Sequence, residues 1–230
     1  MAKYKGILWS DARGKMNGVV FSRNTFGTYI RNLASPVQPR TPAQLNIRAI
    51  LQNLSRRWRT LTAAQQAAWN ALAQQVVLTD TLGNPYHPTG QQLYCGLNAN
   101  LELDQLGAID KAPPAPVRVP TPQTVTVTAT GGGTPTLTVA WTGGDSNMDA
   151  FIYATPTISE GRKFIRPSEF RLITTAQSGA GTPALNILSF WQAKYGAPPN
   201  PADGQVAIAV KLVDPNTGFA GGMQYGRDAW

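Results

Sequence analysis

Three times between residues 41 and 92 the chain writes the same helix start. Thr41-Pro42-Ala43-Gln44, Thr62-Ala63-Ala64-Gln65 and Thr89-Gly90-Gln91-Gln92 each set a threonine three residues ahead of a glutamine. In that pattern the hydroxyl accepts from the third helical N–H and the glutamine reaches back to the cap, so donors orphaned at a helix start are satisfied. Pro42 suits the first helical position, where a missing N–H costs nothing. The spacing predicts helices over 42–58, 63–77 and 90–106. Ile47, Leu51, Leu54 and Trp58 form an apolar stripe on the first, while the second offers Ala64, Ala68, Ala71 and Leu72 with Trp69. The Leu61-Thr62 corner admits only an antiparallel pair, with Trp58 and Trp69 packed where the two helices meet. Leu93, Leu97, Leu101 and Leu103 line the third helix, and Gly107 ends it.

Both flanks of this helical stretch read differently. Residues 1–40 are Gly-rich, with short β-type runs at Val19-Val20-Phe21 and Thr28-Tyr29-Ile30 and a turn signal at Lys15-Met16-Asn17-Gly18. Too few apolar residues sit there to bury a core, so an extended arm carrying a hairpin and lying on a neighbour is expected. Residues 111–122 hold Pro113, Pro114, Pro116, Pro120 and Pro122, which predicts a semi-rigid linker and a domain boundary. Beyond it the apolar period becomes two, at Val125, Val127 and Ala129 and again at Leu137, Val139 and Trp141. Further short strands follow around 151–154, 170–173, 206–210 and 219–225, with a short helix within 184–195. The expected fold is α+β: an arm over 1–40, a helical region over 41–110, the linker over 111–122 and an antiparallel β-sandwich over 123–230.

Charge is as uneven as periodicity. Residues 1–79 carry eleven basic side chains and one acid, Asp11, for 11 − 1 = +10; residues 80–230 carry nine basic and eleven acidic, for 9 − 11 = −2. Such a block requires an acidic counterpart, a protein surface or a nucleic acid backbone. Its candidate partner-binding residues are Lys3, Lys5, Arg13, Lys15, Arg23 and Arg31 in the arm, with Arg57 and Arg59 in the last turn of the first helix. The last two flank Trp58 and are expected to face away from the core. Charged residues make up 14% of the chain, against about 25% in soluble domains, which suits a surface covered in an assembly.

Residues that carry chemistry are sparse. His87 is the only histidine and lies between prolines; Cys95 is the only cysteine, so neither a triad nor a metal cluster has the members it needs. Asp145 and Asp149 flank a loop able to hold calcium only as a weak motif. No enzyme activity and no cofactor are expected. No apolar run reaches membrane-spanning length, and the run at 6–9 is too short for a secretory signal core. A soluble protein made in a reducing compartment is expected.

The strings Gly14-Lys15-Met16-Asn17-Gly18-Val19-Val20-Phe21-Ser22-Arg23-Asn24, Gly27-Thr28-Tyr29-Ile30-Arg31 and Pro39-Arg40-Thr41-Pro42-Ala43-Gln44 resemble the start of a family of bacteriophage and prophage virion structural proteins. The Trp-x-x-Leu-Thr-x-x-Gln-x-x-x-Trp element at 58–69 and the helix around Asn98 resemble its second and third parts. The C-terminal half is similar in style to fibronectin-III and immunoglobulin-like domains. This resemblance implies a non-enzymatic virion protein, made in the host cytoplasm, that docks onto capsid, neck or tail proteins and onto its own copies. The alternative is a nucleic-acid-contacting protein inside a particle, with Arg56, Arg57 and Arg59 on phosphates and Trp58 stacking.

Overall fold

A computed structural model of the chain describes residues 2–3, 14–24, 27–34, 37–79, 83–143, 147–177, 184–199 and 203–230. The chain forms two compact units, Met1–Asn46 and Ile47–Trp230. In the first, β1 (Ala2–Lys3), β2 (Gly14–Met16), β3 (Val19–Asn24) and β4 (Gly27–Asn32) make an antiparallel sheet in the order β1-β4-β3-β2. Asn17 (φ 42°) and Gly18 (φ 81°) turn β2 into β3. Two successive left-handed residues match the twist of a two-stranded ribbon, which is why Asn-Gly is so strong a hairpin signal. Among the described residues of this unit only Val20 is a buried hydrophobic. The expected hairpin is present, widened into a sheet with almost no core of its own.

The first helix, α1 (Pro42–Thr60), starts within this unit and continues into the second, followed by α2 (Ala63–Gln75) and α3 (Gly90–Leu103). Reciprocal capping forms at all three starts, with Gln44, Gln65 and Gln92 N–H donating to Thr41, Thr62 and Thr89 Oγ1 and the glutamine Oε1 accepting in return. A two-strand ribbon, β5 (Leu78–Thr79) with β6 (Pro85–Tyr86), separates α2 from α3. One prediction is corrected: α1 and α2 approach each other only at their corner, and the close pair is α2 with α3. The core of this region, Leu54, Leu61, Trp69, Leu72, Ala73, Leu93, Tyr94 and Leu97, explains why. Trp69, Leu72 and Ala73 of α2 and Leu93, Tyr94 and Leu97 of α3 supply most of it, whereas α1 contributes Leu54 with Ile50 and Trp58 partly buried against it.

Two antiparallel sheets follow. One contains β7 (Thr124–Thr130), β8 (Thr136–Thr142) and β11 (Leu185–Asn186) in the order β11-β8-β7. The other contains β9 (Asp149–Ala154), β10 (Arg171–Gln177), β12 (Gln205–Val213) and β13 (Ala220–Ala229) in the order β10-β9-β12-β13. Val127, Leu137, Val139 and Trp141 from the first sheet share one core with Ile152, Val206, Ile208, Val210 and Leu212 from the second. Outward threonines of β7 and β8 pair across the strands, Thr124 with Thr142 at 2.6 Å and Thr130 with Thr136 at 2.7 Å. The short helix α4 (Leu188–Tyr195) seals one end of this core with Trp191, whose indole N–H donates to the Thr155 carbonyl at 2.9 Å.

The domain boundary expected at 111–122 is also corrected, since that segment lies inside the second unit. Val119, Pro113 and Pro122 are buried, and Thr121 Oγ1 accepts from the Gly222 N–H of β13 at 3.0 Å. Buried apolar side chains and this hydrogen bond to β13 make it a packed connection rather than a free spacer. The 214–218 turn joins helices and sheets further. Asp214 carboxylate oxygens accept from Asn216 N–H and Thr217 Oγ1, which lets Gly218 take φ 75°. A Cβ at Gly218 would lie 2.3 Å from the Leu97 carbonyl oxygen, so only glycine lets α3 come this close. Asn100 Nδ2 donates to the Gly218 carbonyl at 2.8 Å, and Phe219 packs on both cores.

Candidate functional site

The basic residues singled out in the sequence meet different fates. In the first unit, register sets Lys15 opposite Val20 and Val20 opposite Arg31. Directly opposed residues share a face, so two exposed cations flank the one buried apolar residue. Backbone pairing places Lys3 opposite Tyr29 and Arg23 opposite Thr28. Lys5 and Arg13 lie outside the described residues.

In the second unit, α1 carries the remaining two. Arg57, expected to face away from the core, is paired within the chain: its Nε and Nη2 donate to Asp110 Oδ1 and Oδ2 at 2.7 and 3.0 Å. This fork holds the Asp110 carboxyl below its ordinary pKa and raises that of the guanidinium, the mutual hydrogen bond being the main cause in each. Asp110 is a hub, because its backbone carbonyl accepts from Trp69 Nε1 at 2.9 Å. Tyr94 lies between the two tryptophans, its ring centroid 5.4 Å from Trp58 and 5.3 Å from Trp69. Burial, chiefly, pushes the Tyr94 hydroxyl up to about 12. Trp69 is fully buried, whereas Trp58 is half-buried against Tyr94, leaving its packed face closed to a stacking base.

Arg56 and Arg59 are exposed and have no partner among the described residues. On the same helix the apolar stripe is only half covered. Leu54 is 2% exposed, but Ile47 and Leu51 remain 41% and 43% exposed. The stripe therefore runs out of the helical core into solvent, with the exposed arginines further along the same helix.

The remaining sequence candidates are local. His87 Nδ1 bonds the Val76 carbonyl at 2.9 Å in an exposed loop. Cys95 is half-buried, and burial pushes its thiol up, away from a reactive thiolate. Asp145 lies outside the described residues, while Asp149 hydrogen-bonds Asp104 at the end of α3. No helix among the described residues is long and apolar enough to cross a membrane. One basic cluster escaped the sequence reading: Arg162, Lys163, Arg166 and Arg171, interleaved with Phe164 and Phe170. Summing charge over 80–230 hid it, although the alternation of cation and ring was visible. Compared with protein-family models, curated proteins and solved structures, this chain matches none of them.

Proposed function

We propose that this chain is a non-enzymatic virion structural protein. It docks onto an acidic surface of a neighbouring capsid, neck or tail protein through its basic arm and α1, and so stabilises the particle. The observation that carries the reading is the half-covered stripe of α1. Leu45, Ile47 and Leu51 stay exposed on a helix whose Leu54 is packed, with Arg56 and Arg59 exposed further along it. A thinly cored sheet in the first unit adds to it, since Val20 alone is buried there among the described hydrophobics. Both features are those of surfaces completed by another chain.

The test is incorporation. Leu51→Asp with Arg59→Gln should abolish the protein's presence in gradient-purified particles while its melting temperature stays near wild type. Wild-type incorporation of that variant would refute docking through α1. Direct titration of the protein with duplex DNA, free of other virion proteins, separates the alternative: tight binding lost with Arg56 and Arg59 would assign α1 to nucleic acid instead.

A further inference from the structure

The connection from β9 to β10, residues 155–170, is too long for a plain hairpin and is fastened at several points. Ile158 bridges to Gln205, and Gln205 Nε2 donates to the Ser159 and Arg162 carbonyls at 3.0 and 2.8 Å. Arg162 grips the segment from within: Nη2 pairs with Glu169 at 2.5 Å and Nε donates to the Phe164 carbonyl at 3.1 Å. Arg171 Nη1 donates to the Ser168 and Phe170 carbonyls. Two arginines are thus consumed in holding Phe164 and Phe170 in place.

What they hold is one wall of a cleft of about 540 Å³, with Ala207 of β12 and Tyr225 and Arg227 of β13 on the other side. That volume falls within the roughly 300–1,000 Å³ usual for ligand sites. Phe170 and Tyr225 stand with centroids 5.3 Å apart, and Phe164 is 72% exposed beside them. Lys163 and Arg227 line the cleft with no ion pair among the described residues. Among the described residues, no carboxylate or amide side chain lines it. Its polar side chains are therefore two cations that only donate and one tyrosine hydroxyl. A sugar surface would find the tyrosine hydroxyl as its one side-chain acceptor among the described residues, and an uncharged apolar ligand would leave the cations unused. Flat rings strung on an anionic backbone satisfy both features.

We infer that this cleft binds single-stranded nucleic acid, its bases stacking on Phe164 and Tyr225 and its phosphates meeting Lys163 and Arg227. Stacking of this kind tolerates any base and needs strands whose bases are free, so duplex binds poorly. The site is independent of α1 and of docking through it.

The experiment is fluorescence anisotropy of the full chain with a labelled oligothymidylate about 15 nucleotides long, over a salt series. Wild type should bind it more tightly than a duplex of equal length. Phe164→Ala, an exposed position that leaves the fold intact, should weaken binding by about fivefold to a hundredfold. The same loss should appear in a chain already carrying Arg56→Gln and Arg59→Gln, which removes α1 as the source. Lys163→Gln with Arg227→Gln should lower the slope of log affinity against log salt by about 1.4. Absence of binding, equal affinity for duplex, an unchanged Phe164→Ala variant, or full competition by an oligoglutamate peptide would each overturn the assignment.

Discussion

Helices α1 and α3 begin with the same reciprocal threonine–glutamine cap and carry apolar residues at the same three- and four-residue steps. Along α3, Leu93, Tyr94, Leu97, Asn98 and Leu101 are all buried; along α1 only Leu54 is. The difference lies in the neighbours. One side of α3 meets α2, and its C-terminal half meets the 214–218 turn, where Gly218 and Asn100 bring the backbones together. The tail of α1 is anchored through Leu54, Trp58 and the Arg57–Asp110 fork, and the stripe ahead of it has no such cover. Two helices with the same cap therefore use their apolar stripes differently: α3 buries its stripe in this chain's core, and α1 leaves part of its own exposed.

The largest expected effect tests the packed side. Trp69 is fully buried and its indole donates to Asp110, so Trp69→Ala should cost about 3–5 kcal/mol in a denaturant melt. A loss under about 1 kcal/mol would mean that the three-helix core contributes little. Next comes the comparison within α1 itself. Leu54→Ala should cost about 2–5 kcal/mol, whereas Leu51→Ala, three residues earlier, should stay within about 0.5 kcal/mol. Equal losses at the two positions would break the division of α1 into an inner and an outer part.

The junction of α3 with the sheets gives a pH signature that α1 lacks. Burial, then the hydrogen bond and charge of Asp104 and the charge of Asp214, pushes Asp149 from its ordinary 3.8 up to about 7. In the folded chain Asp149 keeps its proton across that interval, while the unfolded chain releases it. The Asp149 contribution to stability should therefore be fully present below about pH 4, fall as pH rises towards 7, and level off above. Asp149→Asn should flatten that slope in urea melts taken from pH 4 to 8, since an amide has no proton to release over that range. The smallest effect belongs to Arg57. Both partners of its ion pair are about 40% exposed, so Arg57→Gln should cost only about 0.2–1 kcal/mol. Its contribution should vanish as pH falls through the lowered Asp110 pKa, because protonation ends the pairing. Arg59→Gln should leave stability unchanged and reduce incorporation into the particle, which separates two arginines that the sequence presents as equivalents.

Much of the local architecture was legible in the residues themselves. The three Thr-x-x-Gln starts, the Asn17-Gly18 turn, the change of period after 122 and the α4 insertion all act through bonds or alternation spanning a few positions, so a short window contains their cause. The mixed α+β class follows from the same local signals. Where a face is buried depends instead on chain far away. Arg57 turns inward because Asp110, fifty-three positions on, completes its fork, and α3 docks because a glycine at 218 leaves room for Leu97. The aromatic cleft joins residues 163–170 to 225–227, a distance along the chain that no charge sum or periodicity spans. Caps, turns and strand alternation were set by the sequence alone, since their energies close within a few residues. Tertiary structure decided which stripe became core and which cations stayed unpaired, because burial and ion pairing are settled by the partner that arrives.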